Sequence, residues 1–121
     1  MSAPPNDNEE VVMPAVRVLI VDDDLAVTRI LQRAFERAGC SAQAVHDGYQ
    51  AIAALAGGHF DAMVCDIQMP RMTGRELCRH LATRGPSFPR CVFIVTSRIE
   101  GEEREWTAEY PAIELIEKPV S

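Results

Sequence analysis

Several short apolar runs in this chain end on residues that can do chemistry. Val18-Leu-Ile-Val21 stops at Asp22-Asp23-Asp24, the run over residues 60–65 stops at Asp66, the run over residues 91–95 stops at Thr96-Ser97, and Ile113–Glu117 stops at Lys118. Carboxylates brought together repel one another, and near neutral pH a hard divalent cation with oxygen ligands relieves that repulsion; Mg²⁺ suits a small, partly hydrated site. Lys118 is the single lysine, against eleven arginines. An ammonium is a compact point charge that can bridge a carboxylate and a phosphoryl oxygen, where a guanidinium would impose a planar fork. Asp66 is then a carboxylate able to attack phosphorus and form an acyl phosphate, with the metal and Lys118 offsetting charge on the transferring group. The Thr96 hydroxyl could donate to a phosphoryl oxygen, and Ser97 is small enough to leave the approach open. Asp24, directly before a helical pattern, reads instead as a helix N-cap.

These side chains meet only if the intervening chain brings them together. Residues 16–21 make a short, largely apolar run with β-branched residues, of the kind a parallel strand buried on both faces shows. Val27, Ile30, Leu31, Ala34, Phe35 and Ala38 then recur at helical spacing, with Arg29, Arg33 and Arg37 on another face, until Gly39 ends the pattern. Ser41–Val45 is a second strand, residues 48–56 an alanine-rich helix ended by two glycines, and residues 60–65 a third strand. Thr73-Gly-Arg-Glu76 has capping-box spacing, and Leu77, Cys78 and Leu81 continue a helix that stops before Pro86. Residues 91–95 form a fourth strand, residues 100–110 a weak, charged helix, and Ile113–Glu117 a fifth strand. Alternation of strand and helix predicts an α/β fold with a parallel sheet and right-handed crossovers, in which ligands gather at the carboxyl ends of the strands. Asp22, Asp23, Asp66, Thr96 and Lys118 should therefore share one rim.

The 121 residues are expected to form one domain over residues 15–121, preceded by a flexible, proline-bearing tail over residues 1–14. The net charge of −6 argues against neutralising nucleic-acid phosphates or an anionic membrane surface. No run approaches a membrane span, and the amino-terminal residues lack the basic start and apolar middle of a signal peptide, so the expected address is the cytoplasm. Cys40, Cys65, Cys78 and Cys91 include no C-x-x-C pair and are expected to be reduced, with Cys65 and Cys91 buried in apolar runs. His46, His59 and His80 are expected on the surface or in loops, none at a strand's carboxyl end.

Taken together, Val18-Leu-Ile-Val-Asp-Asp-Asp24, Asp66-Ile-Gln-Met-Pro-Arg-Met-Thr-Gly74, Val95-Thr-Ser97 and Lys118-Pro119 make the chain resemble the receiver domain of two-component response regulators, over residues 16–119. The resemblance implies a flavodoxin-like, doubly wound five-stranded parallel sheet with strand order 2-1-3-4-5. It implies that Asp66 accepts a phosphoryl group from a sensor histidine kinase, a histidine phosphotransfer protein or a small donor such as acetyl phosphate. Asp23 and Asp66 would bind Mg²⁺ directly, Asp22 through metal-bound water, and the Gln68 backbone carbonyl would complete the protein's share. Lys118 would pair with the acceptor and then the phosphoryl group, while Thr96 would move toward the phosphoryl oxygens. Gln68 and Arg98 stand where the family tunes phosphoryl lifetime. The implied molecule is a phosphorylation-controlled switch that catalyses its own phosphotransfer and slow dephosphorylation, not a turnover enzyme.

Two departures stand out. Leu115 occupies the position, three before the lysine, where relatives carry an aromatic switch residue, and the chain ends at Ser121 where they continue through one more helix. One helix cannot cover a whole sheet face. A longer parent regulator or hybrid kinase, a second copy of the chain, or Val11-Val-Met13 folding back would supply the cover. Trp106 and Tyr110, in the charged segment, are expected to pack onto the sheet, with partner docking as the other reading. A pseudo-receiver that binds partners without phosphorylation would retain fewer of these acidic, hydroxyl and amine groups. A haloacid-dehalogenase-type phosphatase would want Asp-x-Asp on its first strand, which Asp22-Asp-Asp-Leu-Ala does not match. No basic recognition helix is present, so direct DNA binding is not expected of this segment.

Overall fold

The β-branched apolar runs become strands, and the patterns between them become helices. The computed structural model describes residues 15–86 and 88–118. Their order is β1 (Arg17–Val21), α1 (Leu25–Arg37), β2 (Ser41–Val45), α2 (Gly48–Gly57), β3 (Ala62–Asp66), α3 (Gly74–Thr83), β4 (Cys91–Thr96), α4 (Gly101–Thr107) and β5 (Ile113–Glu117). All neighbouring strands pair in parallel, in the order β2-β1-β3-β4-β5. The expected flexible tail, the Val11-Val-Met13 cover and Pro119 lie outside the described residues.

Local chemistry sets the helix ends. Asp24 caps α1, its carboxylate accepting from the Ala26 and Val27 N–H groups, as its position predicts. Gly39 follows α1 at φ +91°, a backbone conformation that a side chain resists. Thr73 and Glu76 form the reciprocal capping box of α3. The weak segment after β4 is helical only over Gly101–Thr107, shorter than residues 100–110, because few of its residues have an apolar surface to cover.

Alternation along each strand divides the sheet into two faces. Leu19, Val21, Met63, Cys65, Val92 and Ile94 face one way and pack under α2, α3 and α4 through Ala51, Leu55, Leu77, Leu81 and Trp106. Val18, Ile20, Val64 and Val95 face the other way, where, among the described residues, α1 supplies the helical cover through Leu31 and Phe35. Ile30 on α1 is 68% exposed. Beside α1 an open apolar groove of about 750 Å³ runs past Phe93 and Ile116 to Asp22, Asp66 and Lys118.

Trp106 is buried and meets Tyr110 edge-on, with ring centroids 6.2 Å apart, while Tyr110 stacks on Phe88 at 5.8 Å. Both rings pack against the core of the three-helix face, as expected. The four thiols are free. Burial pushes the Cys65 thiol well up and the Cys78 thiol up to about 12, so both stay protonated. Cys91, expected to be buried, is exposed: it opens β4 on the same face as Phe93 and Val95, the face with the thinner cover.

Candidate functional site

Each expected site residue stands at or just beyond the carboxyl end of a strand. Asp22 and Asp23 follow β1, Asp66 closes β3, Thr96 closes β4 and Lys118 follows β5. Parallel pairing in register brings these ends to one rim, with Asp66 opposite Val95 and Thr96 opposite Glu117. One carboxylate oxygen from each of Asp22, Asp23 and Asp66 lies within 4.8 Å of the others. Lys118 Nζ stands 3.3 Å from Asp66 Oδ1.

The electrostatics of this cluster are unequal. Asp22 and Asp66 are buried and Asp23 is exposed. Burial raises the Asp22 carboxyl above its ordinary value, the Asp24 N–H that donates to Asp22 Oδ1 at 2.9 Å opposes that rise, and the charge of Asp66 adds to it. A buried carboxylate beside a second one is poorly compensated until a cation arrives, and three oxygen donors of this hardness fit Mg²⁺. The Lys118 ammonium offsets part of this charge, at Asp66 and more weakly at Asp22. The donor set of Asp22, Asp23 and Asp66 thus suits a small divalent ion.

Backbone hydrogen bonds hold the surrounding loops. The Ile67 N–H donates to Val95 O at 3.0 Å, Gly74 N–H to Ile67 O at 3.0 Å and Lys118 N–H to Thr96 O at 2.7 Å. Gly74 is required by close approach: a Cβ there would stand 2.8 Å from the Asp66 carbonyl oxygen. Thr96 is buried, and its hydroxyl donates to the Arg98 carbonyl at 3.1 Å rather than to Asp66. Gln68 lies in the loop directly beyond Asp66, with its side chain exposed. Arg98 is also exposed, in the loop after β4, and Leu115 is half-buried against the core of the three-helix face.

Three contacts were not legible in the sequence. His46 does sit at a strand's carboxyl end, just beyond β2, because the strand stops at Val45; its Nδ1 is 3.2 Å from the Asp22 carbonyl oxygen. The Arg71 guanidinium pairs with the buried Asp47 carboxylate. Glu117 Oε1 accepts the Ile99 N–H at 3.0 Å, tying the loop after β4 to β5. Asp47 before Gly48 carries a helix-cap signal that hinted at an ordered β2–α2 loop, but nothing in the sequence paired it with Arg71.

The family model for the response regulator receiver domain matches residues 18–121. Response regulator MprA of Mycobacterium bovis is 37% identical over 105 residues, covering 87% of this chain and 45% of the relative, and that of Mycobacterium ulcerans is 36% identical over 105 residues. The chain thus spans less than half the length of the curated relatives it matches. Among solved structures, chemotaxis protein CheY4 of Vibrio cholerae superposes with a TM-score of 0.77 at 24% identity, covering 88% of this chain and 89% of that one. A sensor protein from Polaromonas sp. JS666 superposes with a TM-score of 0.75 at 28% identity, covering 89% and 87%.

Proposed function

The chain belongs to the receiver-domain family of two-component response regulators, and from that premise we propose that residues 15–121 work as a Mg²⁺-dependent phosphorylation switch with Asp66 as the acceptor. The observation that carries this reading is the convergence of the three carboxylates within 4.8 Å with the Lys118 amine 3.3 Å from Asp66. Asp22, Asp23, Asp66 and the backbone carbonyl of Gln68 would hold the ion, which when bound offsets negative charge on the incoming phosphoryl group.

An Asp66 carboxylate oxygen forms the new P–O bond while the donor's bond to phosphorus breaks, its electron pair leaving with the donor as imidazole nitrogen or acetate oxygen. Lys118 orients the acceptor before transfer and balances the added charge afterwards. The Thr96 hydroxyl would exchange the Arg98 carbonyl for a phosphoryl oxygen, drawing the loop after β4 with it. That movement would also load the Glu117–Ile99 contact, and with Leu115 in place of an aromatic side chain the signal would leave through this loop and β5. The partners are a histidine kinase or a histidine phosphotransfer protein, and the expected compartment is the cytoplasm. Among the described residues no helix is long and apolar enough to cross a membrane.

Intact mass after incubation with acetyl phosphate, with and without Mg²⁺, tests the proposal. One phosphoryl adduct that requires Mg²⁺ and is absent from Asp66→Asn supports it. No adduct in the folded protein would replace it with a partner-binding module that works without phosphorylation, and steady release of phosphate from an ester substrate would replace it with a phosphatase.

A further inference from the structure

Arg71 is the one non-glycine residue with positive φ among those described, at +68°. Pro70 precedes it, and the Met72 N–H donates to the Pro70 carbonyl at 2.7 Å. The three residues form a γ-turn of the rarer hand, whose central residue is strained unless it is glycine. Such strain persists only where the surroundings over-determine it. Here they do. The Arg71 side chain reaches from the loop to Asp47, whose carboxylate is only 7% exposed although the guanidinium is 67% exposed.

Asp47 divides its two oxygens between two tasks. Oδ1 accepts the Gln50 N–H and caps α2, while Oδ2 accepts from Arg71. A helix cap alone needs neither burial nor a cation. The neighbouring residues make that connection once more and add one to the other side of the rim. Gly48 lies so close to Met72 that a Cβ would stand 2.5 Å from its sulfur, and the His46 ring meets the Asp22 carbonyl. The β2–α2 loop therefore touches both halves of the rim: the backbone of the acidic pair on one side and the loop beyond Asp66 on the other.

We propose that Arg71 is a positioning residue for the phosphorylation site, its ion pair with Asp47 clamping the strained loop of residues 68–73 so that the Gln68 carbonyl is held ready for the metal. The inference rests on the assignment of Gln68 and Asp66 made above. Losing a group that orients a metal ligand from outside typically costs about 10–100-fold in metal affinity or activity, and a clamp that only presets the Gln68 carbonyl would act on affinity.

The test measures the rate of Asp66 phosphorylation by acetyl phosphate as a function of MgCl₂ for the wild type, Arg71→Met, Asp47→Asn, the double variant and Arg71→Lys. Asp47→Asn keeps an oxygen for capping α2, so α2 need not fray with the loss of charge. Half-saturating Mg²⁺ should rise about tenfold in each single variant, with the rate at saturating Mg²⁺ little changed. The double variant should be no worse than either single one, and Arg71→Lys should recover part of the loss. Single variants that melt earlier but keep the wild-type Mg²⁺ dependence would overturn the proposal, as would a double variant whose defect is the product of the two. If the wild type itself takes up no phosphoryl group, the site assignment fails separately, and calorimetric Mg²⁺ binding by the same variants still decides whether the clamp shapes the metal site.

Discussion

The two faces of the sheet are made by the same strands, yet among the described residues one is closed and the other open. On the closed face Leu19, Met63, Cys65, Val92 and Ile94 are buried under three helices. On the other, α1 covers part of the surface and leaves a groove that leads to Asp22, Asp66 and Lys118. The closed face gains from burying apolar area, whereas the rim end of the open face buries a carboxylate beside another carboxylate. The first arrangement favours folding, and the second costs free energy, as clustered carboxylates at functional sites commonly do; a divalent cation at this cluster would relieve that cost.

The contrast is broken most directly at Leu77, which is fully buried in the three-helix core. Leu77→Ala should cost about 3 kcal/mol and lower Tm by roughly 10 °C or more, read by chemical and thermal denaturation, because it removes buried methyl groups and leaves a cavity. A cost near zero would mean that the closed face is loosely packed after all.

A smaller effect of opposite sign is expected at the rim. The Asp22 carboxyl titrates above its ordinary value through burial first, then the charge of Asp66. The folded protein therefore holds that proton more tightly than the unfolded chain, so stability falls as pH rises from the ordinary carboxylate value through the raised one. In metal-free buffer at pH 7, Asp22→Asn should raise the denaturation midpoint by less than Leu77→Ala lowers it, and the gain should vanish as pH falls below about 4. Added Mg²⁺ should stabilise the wild type and not the variant. A variant less stable than the wild type at pH 7 would contradict the strained-rim account.

The smallest effect is expected on the open face. Ile30→Ser should change stability by no more than about 0.5 kcal/mol, since the side chain is already 68% exposed. It should also weaken binding of an apolar fluorescent dye in the groove. A loss comparable to that of Leu77→Ala would show that Ile30 is covered in solution, and the two faces would then be alike.

Strand positions, helix caps and the convergence of the rim residues were legible because they are local or compositional. An apolar β-branched run that stops at a carboxylate announces both a strand and its end, and Thr73-Gly-Arg-Glu76 specifies a capping box within four residues. The exposure of Cys91 was not legible, because its run is as apolar as that of Cys65; what differs is the face each side chain meets and the helices packed there. His46 was misplaced for a different reason: with β2 read as Ser41–Val45 it already stood at that strand's carboxyl end. What the sequence could not give is its approach to the Asp22 carbonyl, which emerges only when β1 and β2 pair.

By itself the sequence determined the alternating α/β order, the single rim and the residue types that meet on it, since hydrophobic periodicity and strand-end residues act over a few neighbours. Only the tertiary structure decided which loop holds which. The Asp47–Arg71 pair joins residues 24 positions apart, and the raised carboxyl of Asp22 and the turned Thr96 hydroxyl likewise depend on what packs around them. Burial and long-range ion pairs are properties of packed elements, and a linear pattern does not encode the distance between two loops until the sheet has set it.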